Sequence, residues 1–132
     1  MINSNPVLAV VDDDEIFQII ARKMISICAP QWEIKSFTTG LDALNYLKQH
    51  STLTSNIPDV ILLDINMPVM DGWMFLEAYQ ELKGQLVKSM KIYLASSSID
   101  SKDIERGKRN PNLADYIIKP LTIERIKQIT AV

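Results

Sequence analysis

The stretch "DVILLDINMPVMDGW" (residues 59–73) places four apolar residues, 60–63, directly before a carboxylate, Asp64. A short apolar run of this kind is typical of a buried strand, and Pro68 and Gly72 behind it indicate a turn. A charged group at the end of such a strand is costly to bury without a partner. We therefore predict a central strand that ends in a functional acid.

The composition of the chain is that of an ordinary globular domain. Its 132 residues are 47% hydrophobic and 23% charged, with a formal net charge of −2. These values exclude a disordered chain and a basic nucleic-acid-binding protein, and they predict one domain (1–132) with one core. The single cysteine, Cys28, excludes an internal disulfide bond and agrees with a reducing compartment. No apolar run approaches the roughly 18 residues that span a bilayer, so we expect a cytoplasmic protein without membrane or nucleic-acid partners.

Short aliphatic runs alternate with longer stretches in which apolar residues recur at helical spacing. We predict five strands, over residues 7–11, 32–37, 60–64, 91–96 and 116–119. The predicted helices cover residues 14–29, 39–50, 73–86 and, with weaker periodicity, 100–112 and 122–132. In the first helix the predicted buried stripe consists of Ile16, Ile20, Met24, Ile27 and Cys28. Strands separated by helices predict βα units, a parallel sheet and an α/β fold.

Polar residues follow four of the predicted strands. Asp12 and Asp13 end the first, Asp64 the third, Ser96 the fourth and Lys119 the fifth. Alone, each has an ordinary structural explanation, such as a helix cap, a turn residue or a solvated charge. In open parallel sheets, however, ligands bind at the carboxyl edge of the strands. The coincidence across four strands therefore predicts one common pocket.

Three carboxylates in one pocket require a proton or a cation, since two charges about 4 Å apart repel by about 1–4 kcal/mol. Oxygen ligands of this kind suit Mg²⁺, with Mn²⁺ as an alternative. Lys119 and Ser96 suit a phosphate group, and Asp64 is the candidate nucleophile that would form an acyl phosphate. The only histidine, His50, lies in a polar stretch after a helix, which argues against histidine acid-base chemistry.

Four ordered motifs carry more information than any single residue. They are "VVDDDE" (10–15), "LLDINMPVMDG" (62–72), "LASSS" (94–98) and "DYIIKP" (115–120). Together they resemble the receiver domain of two-component response regulators, the CheY-like family, over nearly the whole chain. The resemblance implies a doubly wound five-stranded parallel sheet of order 2-1-3-4-5 and a signalling switch of a bacterial phosphorelay.

The resemblance also implies a phosphorylation site. It assigns Asp64 as the phosphoacceptor, and Asp12 and Asp13 as the acidic pair for Mg²⁺, with Asp13 the more direct ligand. Asn66 would give its backbone carbonyl to the metal, and Lys119 would bind the phosphoryl group. Chemistry would be limited to phosphotransfer and autodephosphorylation, so we do not expect a classical enzyme.

A second implied set of residues is the switch. Ser96 takes the place of the switch hydroxyl and Tyr116 that of the switch aromatic, while Asn66 and Ser98 occupy the positions that tune the phosphoryl lifetime. Asp14, the third acid of its run, is interpreted as a helix cap or first-turn carboxylate. Leu121 departs from the family at a position where an aromatic residue is common.

The implied partners are proteins. A histidine kinase or a histidine phosphotransfer protein would donate the phosphoryl group, and a downstream protein would bind the fourth helix, fifth strand and fifth helix. We expect a monomer or a weak dimer, because the fourth helix is short and broken. No output domain follows within these 132 residues, so the chain is either a stand-alone receiver or a fragment of a larger regulator or hybrid kinase.

Two alternatives remain. An aspartate-nucleophile phosphatase of the haloacid dehalogenase type also uses Mg²⁺, but it normally needs a second acid two residues after the nucleophile, where this chain has Asn66. A degenerate receiver would bind partners without phosphate chemistry. The intact set of acids, hydroxyl and lysine argues against that second alternative.

Overall fold

The structure is a computed structural model that describes residues 5–52 and 56–131. Strands and helices alternate along these residues. In chain order they are β1 (Val7–Val11), α1 (Glu15–Cys28), β2 (Glu33–Phe37), α2 (Gly40–Gln49), β3 (Val60–Asp64), α3 (Gly72–Leu82), a 3-10 turn (Lys83–Gln85), β4 (Lys91–Ser96), α4 (Ser101–Lys108), β5 (Leu113–Ile118) and α5 (Ile123–Ile129). Among these helices, none combines the length and apolar character that crossing a bilayer requires.

The five strands form one parallel sheet of order β2-β1-β3-β4-β5. Every residue of β1 and β3 is buried, as expected for central strands that are covered on both faces. Val11 pairs with Leu63, so the residues that follow these two strands lie side by side at the carboxyl edge. The predicted α/β fold and strand order are confirmed.

Two apolar clusters, one on each face of the sheet, replace the single core expected from the composition. The first packs α2 and α3 against the sheet and includes Leu44, Leu47, Phe75 and Tyr79. The second packs α1 and α5 against the other face and includes Phe17, Ile25, Ile126 and Ile129. The molecule is therefore a three-layer sandwich in which the sheet separates the two clusters.

The predicted buried stripe of α1 is wrong in its main members. Ile16, Ile20 and Ile27 are 69%, 47% and 71% exposed. The buried residues of α1 are Phe17, Gln18, Ala21 and Ile25, with Met24 and Cys28 half-buried. Apolar residues occupy most of the helix circumference, so periodicity alone does not decide which side faces the sheet. The large Phe17 and the small Ala21 pack inward, and the isoleucines form an exposed face.

The predicted bounds are least accurate at the end of the chain. β5 begins at Leu113, three residues before the predicted start, and continues through exposed Ala114 and Asp115. α4 ends at Lys108, and Gly107 is its only buried residue. α5 ends at Ile129, whereas the predicted helix extended to Val132, which lies outside the described residues.

Candidate functional site

Three carboxylates meet at the carboxyl edge of the sheet. Asp12 and Asp13 follow β1, Asp64 ends β3, and one carboxylate oxygen of each lies within 4.8 Å of the others. Asp12 is fully buried and Asp64 is 7% exposed, whereas Asp13 is exposed. The predicted acidic pocket is thus formed by two adjacent strands, and its open side lies at Asp13.

Lys119 brings the fifth strand to this pocket. Its Nζ lies 2.8 Å from Oδ2 of Asp12 and 3.6 Å from Oδ1 of Asp64. The ammonium group also lies 4.3 Å from the centre of the Phe17 ring, a cation–π contact that sequence reasoning did not anticipate. Three carboxylates and one ammonium leave two negative charges (3 − 1 = 2). This donor set fits a hard divalent cation.

The surroundings of Asp64 disfavour the ionised form of its carboxyl group. Burial, and secondly the charge of Asp12, raise the pKa of Asp64 to about 6, although Lys119 acts in the opposite direction. The backbone N–H of Asn66 also lowers this pKa by donating to Oδ1 of Asp64 at 3.3 Å. At neutral pH Asp64 is therefore mostly ionised, but in an environment that favours neutralisation by a proton or a cation.

The third acid of the run, Asp14, has a separate role. Its side chain caps α1 by accepting from the backbone N–H groups of Ile16 and Phe17. Its own N–H donates to Oδ1 of Asp12 at 2.9 Å, which helps to orient that carboxylate. The interpretation of Asp14 as a helix cap is confirmed.

The loop after β3 is tightly packed against the site. A β-carbon on Gly72 would lie 2.8 Å from Cδ2 of Leu94 and 2.9 Å from the carbonyl oxygen of Asp64. Position 72 therefore requires glycine, because any side chain there would prevent α3 from beginning beside the end of β3. Within the loop, Val69 has a φ of 70° and Met70 donates its N–H to the carbonyl of Pro68.

Ser96 is buried at the end of β4, but its hydroxyl contacts its own loop. Oγ donates to the carbonyl of Ser98 at 2.9 Å and accepts from the N–H of Ser98 at 3.2 Å. The carbonyl of Ser96 accepts from the N–H of Lys119 at 2.8 Å, and the bond between Lys119 and Pro120 is cis. Ser96 and Lys119 are thus neighbours through their backbones.

Tyr116 lies on β5 against α4 rather than against Ser96. Its hydroxyl donates to the carbonyl of Asp103, and burial, followed by the charge of Asp103, raises the pKa of Tyr116. A β-carbon on Gly107 would lie 2.7 Å from Cζ of Tyr116, so the ring fills the space that this glycine leaves. The two predicted switch residues share no hydrogen bond here.

Comparisons with known proteins agree with this geometry. ARR10, a two-component response regulator of Arabidopsis thaliana, is 31% identical over 90% of this chain, which spans 19% of ARR10. The crystal structure of a two-component response regulator from Cytophaga hutchinsonii superposes with a TM-score of 0.81 at 26% identity, covering 96% of this chain and 95% of that one. The receiver domain of the sensor histidine kinase PA1611 from Pseudomonas aeruginosa gives 0.75 at 17% identity, covering 96% and 94%.

A family profile described as "Response regulator receiver domain" matches residues 8–131. Receiver domains are signalling switches of phosphorelays rather than classical enzymes, and they bind Mg²⁺ at an acidic site. They interact with histidine kinases and with downstream effectors. The match covers nearly the whole chain, which therefore belongs to the response regulator receiver domain family.

Proposed function

We propose that this chain accepts a phosphoryl group on Asp64 from a phosphohistidine of a kinase or phosphotransfer protein, with Mg²⁺ (or Mn²⁺) in the acidic pocket. The observation that carries the proposal is the position of Lys119, whose ammonium contacts Asp12 and Asp64 while the three carboxylates lie within 4.8 Å. A lone acid at a strand end would not require this arrangement. Transfer to an aspartate does require it, because two anions must approach each other.

Asp12, Asp13 and Asp64 would hold the cation together with the backbone carbonyl of Asn66. The residues fit this role, since they leave two uncompensated negative charges and present only oxygen donors. Exposed Asp13 would be the direct ligand, and buried Asp12 would act mainly through water. When bound, Mg²⁺ supplies positive charge to the oxygens of the transferred phosphoryl group. The PA1611 receiver domain, which shares the fold, is described with magnesium coordinated in its active-site cleft.

In the transfer, a carboxylate oxygen of Asp64 forms a bond to phosphorus while the bond between phosphorus and the donor imidazole nitrogen breaks. The imidazole keeps the electron pair and takes a proton from solvent. Lys119, which contacts Asp12 and Asp64 beforehand, holds the phosphoryl oxygens afterwards. Asn66 and Ser98 flank the product and set how fast water removes the phosphoryl group.

The switch begins at Ser96. The phosphoryl group adds about −1.5 to −2 charges and draws the Ser96 hydroxyl away from Ser98. Tyr116 rotates into the space that Ser96 vacates and releases the carbonyl of Asp103 on α4. The surface formed by α4, β5 and α5 then changes. Because this is a shift between two packings, phosphorylation favours the second only through its stronger contacts there.

The partner surfaces follow from the position of the pocket. A phosphohistidine donor must cover the open side at Asp13, and α1, which begins two residues later, exposes Ile16, Ile19 and Ile20. We assign the donor to this surface of α1. The downstream protein is assigned to α4, β5 and α5, where Ile104, Ile118 and Ile123 are exposed.

The test is covalent labelling with a small phosphodonor in the presence of Mg²⁺, followed by intact-mass measurement. We expect one phosphoryl adduct on the unmodified chain, none on Asp64→Asn, and an unchanged adduct on Asp14→Asn, because asparagine still caps α1. Binding of beryllofluoride should follow the same order. Labelling of Asp64→Asn, or no labelling of the unmodified chain, would contradict the proposal. Sustained hydrolysis of a small phosphate ester would instead favour the phosphatase alternative.

A further inference from the structure

Gln18 is a polar residue on the buried face of α1. It is 7% exposed, and its Nε2 lies 3.0 Å from the carbonyl oxygen of Val10, 3.1 Å from that of Asp12 and 2.9 Å from that of Phe37. The three acceptors lie on β1, on its first following residue and on β2. One amide group therefore joins the carboxyl ends of two neighbouring strands.

The orientation of this amide is fixed by its surroundings. If it were reversed, Oε1 would lie against three carbonyl oxygens, which would repel it, and Nε2 would lose all three acceptors. In the observed orientation Oε1 is buried and has no hydrogen-bond partner among residues 5–52 and 56–131. Leaving a buried polar atom unpaired is unfavourable, and an apolar side chain would avoid it. Packing of α1 therefore does not explain why an amide occupies this position. The hydrogen bonds from the amide to the ends of β1 and β2 do explain it.

These bonds act on the backbone that carries the acidic pair. The carbonyl of Asp12 belongs to the peptide unit between Asp12 and Asp13, and Gln18 holds this carbonyl directly. The N–H of Asp12 donates to the carbonyl of Phe37 at 3.0 Å, which Gln18 also contacts. The Gln18 amide thus contacts the carbonyl of Asp12 and also the carbonyl that accepts from the N–H of Asp12. Rotation of this peptide would turn the carboxylate of Asp13 away from Asp64.

We propose that Gln18 is a positioning residue of the metal site: its amide holds the Asp12–Asp13 peptide so that the three carboxylates face one divalent cation. This inference rests on the proposed function, because it concerns the same cation site. Gln18 itself touches neither the metal nor the phosphoryl group. Its effect is on how well the acidic pair is arranged before the metal arrives.

The experiment is a Mg²⁺ titration of the full chain, followed by the fluorescence of the buried residue Trp73. In Gln18→Met the side chain keeps its length but loses its donors, and we expect the dissociation constant for Mg²⁺ to rise by about tenfold or more, as is usual when groups that orient metal ligands are lost. The matched control is Ile25→Val, two turns along the same buried face. It weakens packing without touching Asp12, and its dissociation constant should change by less than about twofold.

Each outcome of the titration either supports or contradicts the role of Gln18. An unchanged dissociation constant in Gln18→Met, or equal increases in both variants, would overturn the role of Gln18. If Gln18→Met shows no cooperative unfolding transition, Gln18→Asn replaces it, since asparagine keeps the donors but withdraws them by one methylene. It should then raise the dissociation constant, and unaltered binding would again overturn the inference. Failure of the unmodified chain to bind Mg²⁺ would instead contradict the proposed function.

Discussion

Charged groups lie near both ends of the adjacent strands β1 and β3, and the two ends differ in the balance of acids and lysines. At the amino end, Asp59 accepts from the N–H of Val7 at 2.8 Å and pairs with Lys88 at 2.9 Å, so one acid meets one lysine. At the carboxyl end, three acids share one lysine. Both are ion pairs by geometry. Only the unbalanced cluster has charge left for a ligand, and this difference distinguishes a structural pair from a candidate site.

The largest expected effect comes from removing each lysine in turn. Without divalent cations, Lys119→Met should lower the free energy of unfolding by about 3 kcal/mol, because it leaves buried carboxylates without a counter-charge. Lys88→Met, at a more exposed pair, should lower it by no more than about 1 kcal/mol. Urea unfolding measures both. Equal losses at the two ends would break the comparison.

Mg²⁺ sharpens the same test. It should restore part of the stability of Lys119→Met, since the cation replaces the missing positive charge, and it should leave Lys88→Met as destabilised as before. A ligand that binds only the folded state at 100 times its dissociation constant adds about 2.7 kcal/mol. If Mg²⁺ stabilises Lys88→Met relative to the unmodified chain, the two ends are not separate.

Replacing Asp64 at the carboxyl end and Asp59 at the amino end should change the free energy of unfolding in opposite directions. Burial raises the pKa of Asp64 from 3.8 to about 6, so folding favours its protonated form. The stability that this form provides is present below about pH 4 and is lost as the pH rises through about 6. At pH 7 without metal, Asp64→Asn should therefore be more stable than the unmodified chain by about 1–3 kcal/mol, and at pH 4 the two should be nearly equal.

Asp59→Asn is the counterpart at the amino end. It loses the charge of the Lys88 pair and weakens the bond to Val7, and it should be destabilised by about 1 kcal/mol at pH 7. Chemical denaturation of both variants at pH 4 and pH 7 provides the measurement. A destabilised Asp64→Asn at pH 7 would show that its carboxylate contributes to folding, and the distinction between the two ends would fail.

The smallest effect concerns backbone strain. Among the described residues, Val69, in the loop at the carboxyl end, is the non-glycine residue with a positive φ, and its side chain is 93% exposed. Val69→Gly should stabilise the fold by about 0.5–1 kcal/mol, since glycine adopts this conformation without steric cost. Val87→Gly, at an exposed loop position without positive φ, should destabilise it. Thermal unfolding compares the two, and a loss of stability in Val69→Gly would exclude strain in this loop.

Much of the fold was predictable from local patterns. The apolar runs of β1 and β3 are continuous because both faces are covered, and the acids directly after them were expected at one edge. Asp14 was also interpreted correctly as a helix cap, since such residues are common where helices begin. In each case a few neighbouring residues contain the information.

The remaining features depend on contacts between distant segments. Nothing near Gln18 in the sequence indicates that its amide meets the carbonyl of Phe37, because β2 is placed beside β1 only by the complete sheet. The buried side of α1 was wrong for a similar reason, since α5 selects the face on which Phe17 and Ala21 lie. The contact between Tyr116 and Asp103 joins β5 to α4 across a polar stretch without periodicity.

Gly107 affects how α4 is attached to the sheet, because its missing side chain leaves space that the Tyr116 ring fills. This helix has eight residues, and Gly107 is the only one of them that is buried. The Tyr116 ring beside Gly107, together with its hydrogen bond to the carbonyl of Asp103, is therefore a main attachment of α4 to the sheet. Tyr116 packs at the edge of the cluster formed with α2 and α3, so α4 is attached through a partly buried residue rather than through the interior of either cluster. In the proposed switch, rotation of this one side chain would remove the attachment and change the surface at α4.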